Sequence, residues 1–483
     1  VTRLAAMAPD CADPRAAGVE IEGLAIDHRK VAQGTLFGAF PGTRFNGEDF
    51  IAAAEDAGAV AIVARPEAHV TRAIHIADAE PRRRFAAIAA RYFDRMPAHV
   101  VAVTGTNGKT STVEMARQLW RMLGHHAASI GTLGVTTADE QVKTGLTTPD
   151  IVTFLSNLSG LAAEGVSHVA YEASSHGLDQ HRCEGVPLVA AAFTNLSRDH
   201  LDYHADMDAY FAAKMRLFDE LLDAQGTAVI WADDAWSARV SDHARARGVA
   251  IFSIGQAGQG IRLIDRTPTP LGQLLTLALG EAAPIRVTLP LIGAYQAANA
   301  LVAAGLVITA GEEPARVFDA LARLQPVRGR LERVAICKAG APVYIDYAHT
   351  PDAISAALTA IKPHAAGRII LVLGAGGDRD PGKRGPMGAA AVAGADVVIV
   401  TDDNPRGEDP VAIRSAILTE APGARDIADR RAAIAAAIAE AGSGDIIIIA
   451  GKGHETGQII GRGADERILP FDDAVVAREE AGR

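Results

Sequence analysis

The run Val100-Val101-Ala102-Val103-Thr104-Gly105-Thr106-Asn107-Gly108-Lys109-Thr110-Ser111-Thr112 constrains the fold more than any other stretch of the chain. It begins with an apolar, β-branched segment of the kind that forms strands covered on both faces. A Gly-rich turn follows. Beyond it, apolar residues at Val113, Ala116, Leu119, Trp120 and Leu123 have helical spacing, and Gly124 ends the pattern. Backbone N–H groups in such a turn, with the positive end of the helix behind them, form an anion site. Lys109 there reaches the outer phosphates of a nucleotide and the Thr110 hydroxyl can ligate Mg²⁺, with Gly105, Thr106, Asn107, Gly108 and Ser111 making up the cradle. Val103 stands where the full Walker pattern has its first Gly. Taken alone the motif fits a plain Gly-rich βα turn equally well. The strand and helix that flank it tip the reading to ATP or GTP.

At 483 residues the chain exceeds one hydrophobic core, so two or three domains are expected. Its 49% apolar content, rich in Ala and Gly and poor in aromatics, suits helices packed on parallel sheets. The net charge of −11 without a basic cluster argues against nucleic acid as a partner. The odd, scattered set of Cys11, Cys183 and Cys337 argues against a disulfide framework or a zinc site and fits a reducing cytoplasm. No apolar stretch approaches spanning length and no signal-peptide pattern is present, so membrane insertion is not expected.

Strand candidates at residues 34–40 and 59–63 surround a helical segment at 50–57. The basic run Pro81-Arg82-Arg83-Arg84 opens another helix and reads as a solvated face. Further strand candidates lie at 100–104, 169–172, 190–194 and 227–231, then at 343–346, 368–373, 395–401 and 445–450. Strands alternating with helices imply mainly parallel sheets. Nearly every strand of these last two groups ends in a polar cluster: Glu172 to His176, Asn195 to His200, Gly374 to Asp380, Asp402 to Arg406, and Gly451 to Glu455. Open α/β sheets bind ligands beyond the carboxyl ends of their strands, so these clusters are expected to face a cleft holding nucleotide and a second substrate.

Thr110, Glu172 and His200 are candidate metal ligands, and a Glu with a His suits Mg²⁺ or Mn²⁺ better than zinc. A lone strand-end His is more often a hydrogen-bonded structural residue. Lys214 falls in the middle of an apolar stripe formed by Met207, Tyr210, Phe211, Leu217, Phe218 and Leu221. It either snorkels to the surface, which the spacing alone favours, or is buried with a neutral amine able to take up CO₂ as a carbamate. In the C-terminal region Arg379 and Arg406 can each grip a carboxylate, while Asp403 and Glu455 can bind an ammonium. Together they suggest a zwitterionic amino acid with more than one charged end, against the plainer reading of surface ion pairs.

In this order the clusters resemble the Mur ligase family, over almost the whole chain. The carriers are Gly105 to Thr110, Leu146-Thr147-Thr148-Pro149-Asp150, Glu172 to His176, Asn195 to His204, Tyr210 to Lys214, Gly329-Arg330-Leu331-Glu332, Asp346 to Asp352, Asp403 to Arg406 and Gly451 to Glu455. The resemblance implies a three-domain α/β protein. Residues 1–97 would bind the uridine nucleotide of the substrate, 98–329 would form a central P-loop ATPase with a mostly parallel sheet, and 330–483 a Rossmann-like amino-acid domain. It implies ATP and Mg²⁺, with the metal on Thr110, Glu172 and His200. It makes Lys214 a carbamylated lysine that serves the metal, against the snorkelling favoured by spacing, and gives Lys109, Lys214 and His200 the catalytic roles. The adenine would lie near Asn299, the ribose on Asp346 and a phosphate on Arg330. UDP-N-acetylmuramoyl-dipeptide would contact Thr147, Thr148, Ser174, Gln180 and Arg182. Meso-diaminopimelate would contact Arg379, Asp403, Asn404, Arg406, Gly451 and Glu455.

Asp403-Asn404-Pro405-Arg406 resembles the diaminopimelate signature, whose Arg is replaced in lysine-adding relatives. Diaminopimelate is lysine with an added distal carboxylate, and Arg406 supplies the matching fork. Three positions depart from the family pattern: His28 stands for a Ser that contacts the uridine nucleotide, Gln296 for an Asn near the adenine, and Gly457 for a Tyr. The expectation is a monomeric cytoplasmic enzyme of peptidoglycan precursor synthesis. One rival is a folylpolyglutamate synthase, which shares the loop but not the N-terminal region or Asp403 to Arg406. Another is a nucleotide-gated protein that binds cell-wall peptides without catalysis, against which the intact Lys109, Glu172, His200 and Lys214 count.

Overall fold

The structure, a computed structural model, describes residues 2–42 and 45–482. The chain divides into two compact units, residues 1–262 with 301–317 and residues 263–300 with 318–483.

The first unit contains two sheets. A four-stranded parallel sheet runs in the order Gly23–Ala25, Thr35–Gly38, Ala59–Ala64, Ile74–Ala77. The helical segment expected at 50–57 is a 3-10 turn, Gly47–Phe50, followed by the helix Ile51–Asp56. A larger sheet carries the parallel series Ala127–Gly131, His168–Glu172, His99–Thr104, Leu188–Phe193, Leu222–Trp231 and Ala250–Gly255. Val100, Val101, Ala102 and Val103 are all fully buried, so both faces of His99–Thr104 are covered and alternation gives way to a continuous apolar run.

In the second unit, a six-stranded sheet has the order Glu332–Ile336, Pro342–Asp346, Ile446–Ala450, Ile369–Leu373, Val397–Val400, Arg425–Asp426, parallel except at its first strand. Strand periodicity assigns Ile369, Leu371 and Leu373 to one apolar layer and Ile370 and Val372 to the other. Beneath the end of Ile446–Ala450, buried Arg430 pairs with Asp473 at 2.6 Å and donates to the Ala450 carbonyl at 3.0 Å. The sequence reading placed no strand between residues 232 and 342. The structure adds several there, including the antiparallel pair Gly272–Leu279 and Ile285–Leu289.

The four-stranded sheet is tied at one edge by Glu55, at the end of the helix Ile51–Asp56. Its side chain is 3% exposed and accepts from the Thr71 hydroxyl and from the N–H groups of Thr71, Arg72 and Ala73. Burial pushes its pKa up, but these four donors outweigh burial and hold it at about 2. The stabilisation is therefore complete above the usual pKa of 4.5 and fades as pH falls toward 2. Glu55→Gln should cost about 2–3 kcal/mol near neutral pH. Urea unfolding of both proteins should show this gap narrowing as the pH is lowered from 5 to about 2.

Candidate active site

In both units the polar clusters sit at the carboxyl ends of parallel strands, as expected. The loop after His99–Thr104 is locked onto the neighbouring strand end. Thr106 N–H donates to Asn195 O at 2.8 Å, Asn107 N–H to Asn195 Oδ1 at 2.9 Å, and Thr194 Oγ1 to Asn107 O at 2.6 Å. Gly105 (φ +144°) leaves no room for a Cβ, which would collide with Thr194 Oγ1. The helix Lys109–Leu123 begins at the loop's end. Lys109 Nζ folds back over the loop to the carbonyls of Gly105 and Thr106, at 2.9 and 2.8 Å.

Lys214 corrects the snorkelling expectation. It is 1% exposed, donates to the same Gly105 carbonyl at 2.8 Å, and lies 4.3 Å from the centre of the Tyr210 ring. Burial holds its pKa well below that of an ordinary lysine, nearby Lys109 lowers it further, and Asp199 only partly opposes. Among the described residues it forms no ion pair that would offset the burial disfavouring its charged form. The helix Met207–Arg216 positions it, capped by the Asp206 side chain, which accepts from Ala209 N–H.

Glu172 ends the strand His168–Glu172, is 2% exposed, and accepts from Thr132 N–H at 2.7 Å and Thr132 Oγ1 at 3.3 Å. His200 is exposed, with φ +53° and Asp199 at 3.6 Å. Partial burial lowers its pKa most; Asp199 opposes, and Lys109 and Lys214 add to the lowering. The five residues expected to contact the muramoyl peptide form one hydrogen-bonded chain. Thr147 Oγ1 and Thr132 Oγ1 are 3.1 Å apart, Thr132 reaches Glu172, and Thr148 Oγ1 donates to Glu172 O at 2.7 Å. Thr148 Oγ1 also lies 2.9 Å from Ser174 Oγ. Arg182 donates to Thr148 O at 3.0 Å and to Gln180 Oε1 at 2.6 Å.

Elsewhere in this unit a cavity of 590 Å³ is lined by His28, Arg29, Lys30, Phe50 and Arg82 among others. His28 stacks on Phe50 with ring centres 4.2 Å apart and planes 1° from parallel. The reading of residues 81–84 as a solvated face is therefore corrected at Arg82, which lies over the Phe40 ring at 5.0 Å and faces this cavity.

In the second unit, Asp346 accepts from the N–H groups of Leu331 and Ala348, at 2.8 and 2.9 Å. Burial raises its pKa while Arg330 and those donors pull it back. Gln296 Nε2 donates to Arg330 O at 2.6 Å, and Asn299 Nδ2 to Gln296 Oε1 at 3.3 Å, so the Gln departure is built into the network. At the other strand ends, Arg406 has φ +49° and donates from Nη1 to Gly377 O at 2.9 Å, in the segment that also carries Arg379. Asn404 Nδ2 donates to Glu455 Oε2 at 2.7 Å. Burial raises the Glu455 pKa most, with Asp403 adding to it. Gly451 (φ +113°) packs against the Asp403 carboxylate.

Comparison with known proteins agrees with this geometry. Residues 20–101 match the description "Mur ligase family, catalytic domain", 103–307 "Mur ligase middle domain", and 329–453 "Mur ligase, glutamate ligase domain". A Zymomonas mobilis protein named UDP-N-acetylmuramoyl-L-alanyl-D-glutamate–2,6-diaminopimelate ligase is 56% identical over 467 residues, 96% of each chain. The chain belongs to the Mur ligase family. A solved structure of a ligase of that same name superposes with a TM-score of 0.76 at 32% identity, covering 100% of this chain and 99% of the other. The Mycobacterium tuberculosis folylpolyglutamate synthase, complexed with ADP, shares the fold with a TM-score of 0.61 at 21% identity and covers 77% of this chain.

Two features of this Mur ligase were missed in the sequence. Asn195 was quoted within a cluster but not as the partner that shapes the nucleotide loop. Lys452 was passed over although it lies within the Gly451 to Glu455 motif. It is 0% exposed and sits 3.2 Å from Asp403, 2.8 Å from Asn404 Oδ1 and 2.8 Å from Gly457 O. The acid read as an ammonium binder thus already faces an internal ammonium. Lys452→Met should cost about 3–5 kcal/mol, because it strands the buried Asp403 carboxylate. Denaturant unfolding of Lys452→Met, Asp403→Asn and the double variant should give a double-variant loss smaller than the sum of the singles.

Proposed function

We propose that the chain is an ATP-dependent, ADP-forming amide ligase that adds meso-2,6-diaminopimelate to UDP-N-acetylmuramoyl-L-alanyl-D-glutamate in peptidoglycan precursor synthesis. It acts as a cytoplasmic monomer with domains at 1–97, 98–329 and 330–483. The observation that carries the reading is Arg406, fixed by the Gly377 carbonyl, in a chain related over its full length to ligases named for this reaction. The folylpolyglutamate synthase likeness supports the fold alone.

A free carboxylate is a poor electrophile, so ATP first phosphorylates the γ-carboxylate of D-glutamate. The amine of diaminopimelate then attacks the acyl phosphate, and phosphate leaves from a tetrahedral intermediate. Lys109 swings from the carbonyls it now caps to the transferring phosphoryl group. A hydroxyl, a buried carboxylate and an imidazole suit a hard cation, so Thr110, Glu172 and His200 would hold Mg²⁺. When bound, Mg²⁺ neutralises the charge that builds on the transferring phosphoryl group. The neutral, buried amine of Lys214 is in the form that adds CO₂, releasing a proton and leaving a carbamate to serve a metal. Asn299, Asp346 and Arg330 receive adenine, ribose and phosphate. Thr147, Thr148, Ser174, Gln180 and Arg182 hold the muramoyl peptide. The 590 Å³ cavity, with the His28–Phe50 stack and Arg82, suits a flat base and an anionic tail, and so supports a uridine-nucleotide role for residues 1–97.

Lys214→Ala should nearly abolish phosphate release, and a small carboxylic acid should restore part of it. Full activity without the additive would remove the carbamate from the reading. On the amino-acid side, Arg406 pairs with the distal carboxylate of diaminopimelate, and Arg379, Asp403, Asn404, Gly451 and Glu455 hold the rest. Lysine leaves the arginine desolvated and unpaired, a loss of about 2–5 kcal/mol, so it should be the worse substrate by on the order of a thousandfold. Phosphate-release assays with each amino acid test this. Arg406→Ala should lower kcat/KM for diaminopimelate far more than for lysine, and an unchanged ratio would reject the assignment.

A further inference from the structure

The amino end of the strand His168–Glu172 lies roughly 13 Å from Glu172, four residues along at about 3.3 Å each. There His125, His168 and Glu312 bring their ligating atoms within 4.8 Å of one another. Two helix ends deliver two of them. The helix Lys109–Leu123 stops at Gly124 (φ +100°), and the next residue, His125, returns its N–H to Trp120 O at 3.0 Å. Past Ala294–Thr309 the same device recurs: Gly311 (φ +114°) precedes Glu312, whose N–H meets Val307 O at 3.3 Å. Helix carboxyl ends carry negative partial charge and favour a cation beside them.

The third group, His168, is 5% exposed, and its Nδ1 lies 2.8 Å from Ser167 Oγ, which also lies 3.3 Å from the His126 carbonyl. In the tautomer with the proton on Nδ1, Ser167 Oγ accepts it and the Nε2 lone pair is left to ligate, the arrangement by which an outer hydroxyl orients a metal-bound imidazole. An ion pair between His125 Nε2 and Glu312 Oε1, 2.6 Å apart, accounts for two of the three groups, and the third, His168, stacks on His99 with ring centres 4.5 Å apart.

We propose that His125, His168 and Glu312 bind a transition-metal dication of the zinc class, at a site distinct from the nucleotide loop, with water as the fourth ligand. Two imidazoles and one carboxylate are a zinc-type set rather than a magnesium-type one. Tetrahedral bonds of about 2.0–2.1 Å put ligand atoms about 3.4 Å apart, so the short His125–Glu312 contact opens to accept the ion. The ion pins both helix ends to the start of a central strand and acts on stability rather than on chemistry.

The test uses the full chain, cleared of metal with a chelator and kept in excess Mg²⁺. Zn²⁺ is titrated while the thermal midpoint is followed, and Co²⁺ serves as the spectroscopic probe. One equivalent should raise the midpoint, and Co²⁺ should give tetrahedral d–d absorption. His125→Gln and Glu312→Gln alter partly exposed positions and should keep the far-UV spectrum and the Mg²⁺-supported activity. Each should weaken Zn²⁺ binding by at least the roughly hundredfold that loss of an outer-shell partner already costs. No stoichiometric binding to the wild-type chain would overturn the proposal and leave a plain ion pair. Equal affinity in wild type and both variants would overturn it too, by locating the ion elsewhere.

Discussion

A strand buried on both faces can place polar side chains only at its ends, and this constraint organises both units. Ile369–Leu373 and Ile446–Ala450 carry buried apolar side chains throughout, and His99–Thr104 and His168–Glu172 carry them between their first and last residues. Parallel neighbours bring those ends to one edge, so Gly105, Glu172 and Asn195 gather at one edge and Asp346, Gly451 and Asp403 at another. Register thereby converts residues far apart in the chain into neighbours. The hydrogen bonds linking Thr148, Glu172 and Ser174 depend on it, as do those between Asn107 and Asn195.

The Gly105 carbonyl is where this framework acquires electrostatic tension. Lys109 and Lys214 both donate to it, at 2.9 and 2.8 Å, and two amines so close cannot comfortably share full charge. Lys109 sits partly accessible at the loop, whereas Lys214 is enclosed, so burial weighs most heavily against the charged form of Lys214 and Lys109 adds to that lowering. The Lys214 amine meanwhile satisfies the Gly105 carbonyl, a bond that an alanine or leucine could not supply.

Much of the fold was legible because long apolar runs and Gly-rich turns dominate the two parallel sheets. The helix carrying Lys214 was read to within a residue of its cap at Asp206. Burial of Lys214 was not legible, since a stripe with one cation looks the same whether the cation escapes to water or not. Arg82 was misread for the opposite reason: a run of three arginines looks solvated, and only the three-dimensional neighbourhood separates Arg82, over Phe40, and Arg84, largely covered and paired with Asp10, from exposed Arg83. The strands after residue 260 were missed: Ile261–Thr269 and Ile285–Leu289 interleave charged and polar residues with their apolar ones, and Gly272–Leu279 is read from its leucines and alanine no more readily as strand than as helix. The role of Lys452 was hidden because its partners, Asp403 and Asn404, lie far from it in sequence and meet it only through the parallel order of strands.

Backbone strain follows the same map. Among the described residues, the non-glycine positions with positive φ are His181, His200, Leu331, Asp378 and Arg406. Two of them are site candidates in their own right. His181 lies between Gln180 and Arg182, Leu331 follows Arg330, and Asp378 precedes Arg379. Each such conformation costs on the order of 1–3 kcal/mol and persists only where surrounding bonds over-determine it. Arg406 shows how: its N–H donates to Ile459 O at 3.0 Å, its carbonyl accepts from Gly461 N–H at 2.8 Å, and its guanidinium is held by Gly377. A glycine would relieve the strain at any of these positions but would supply no imidazole or guanidinium, and asparagine would do so only in part. The chain keeps the strained side chain where it is a ligand candidate. It also keeps strained neighbours where a turn must aim Gln180, Arg182, Arg330 or Arg379, and that placement follows the needs of the site rather than of the sheets.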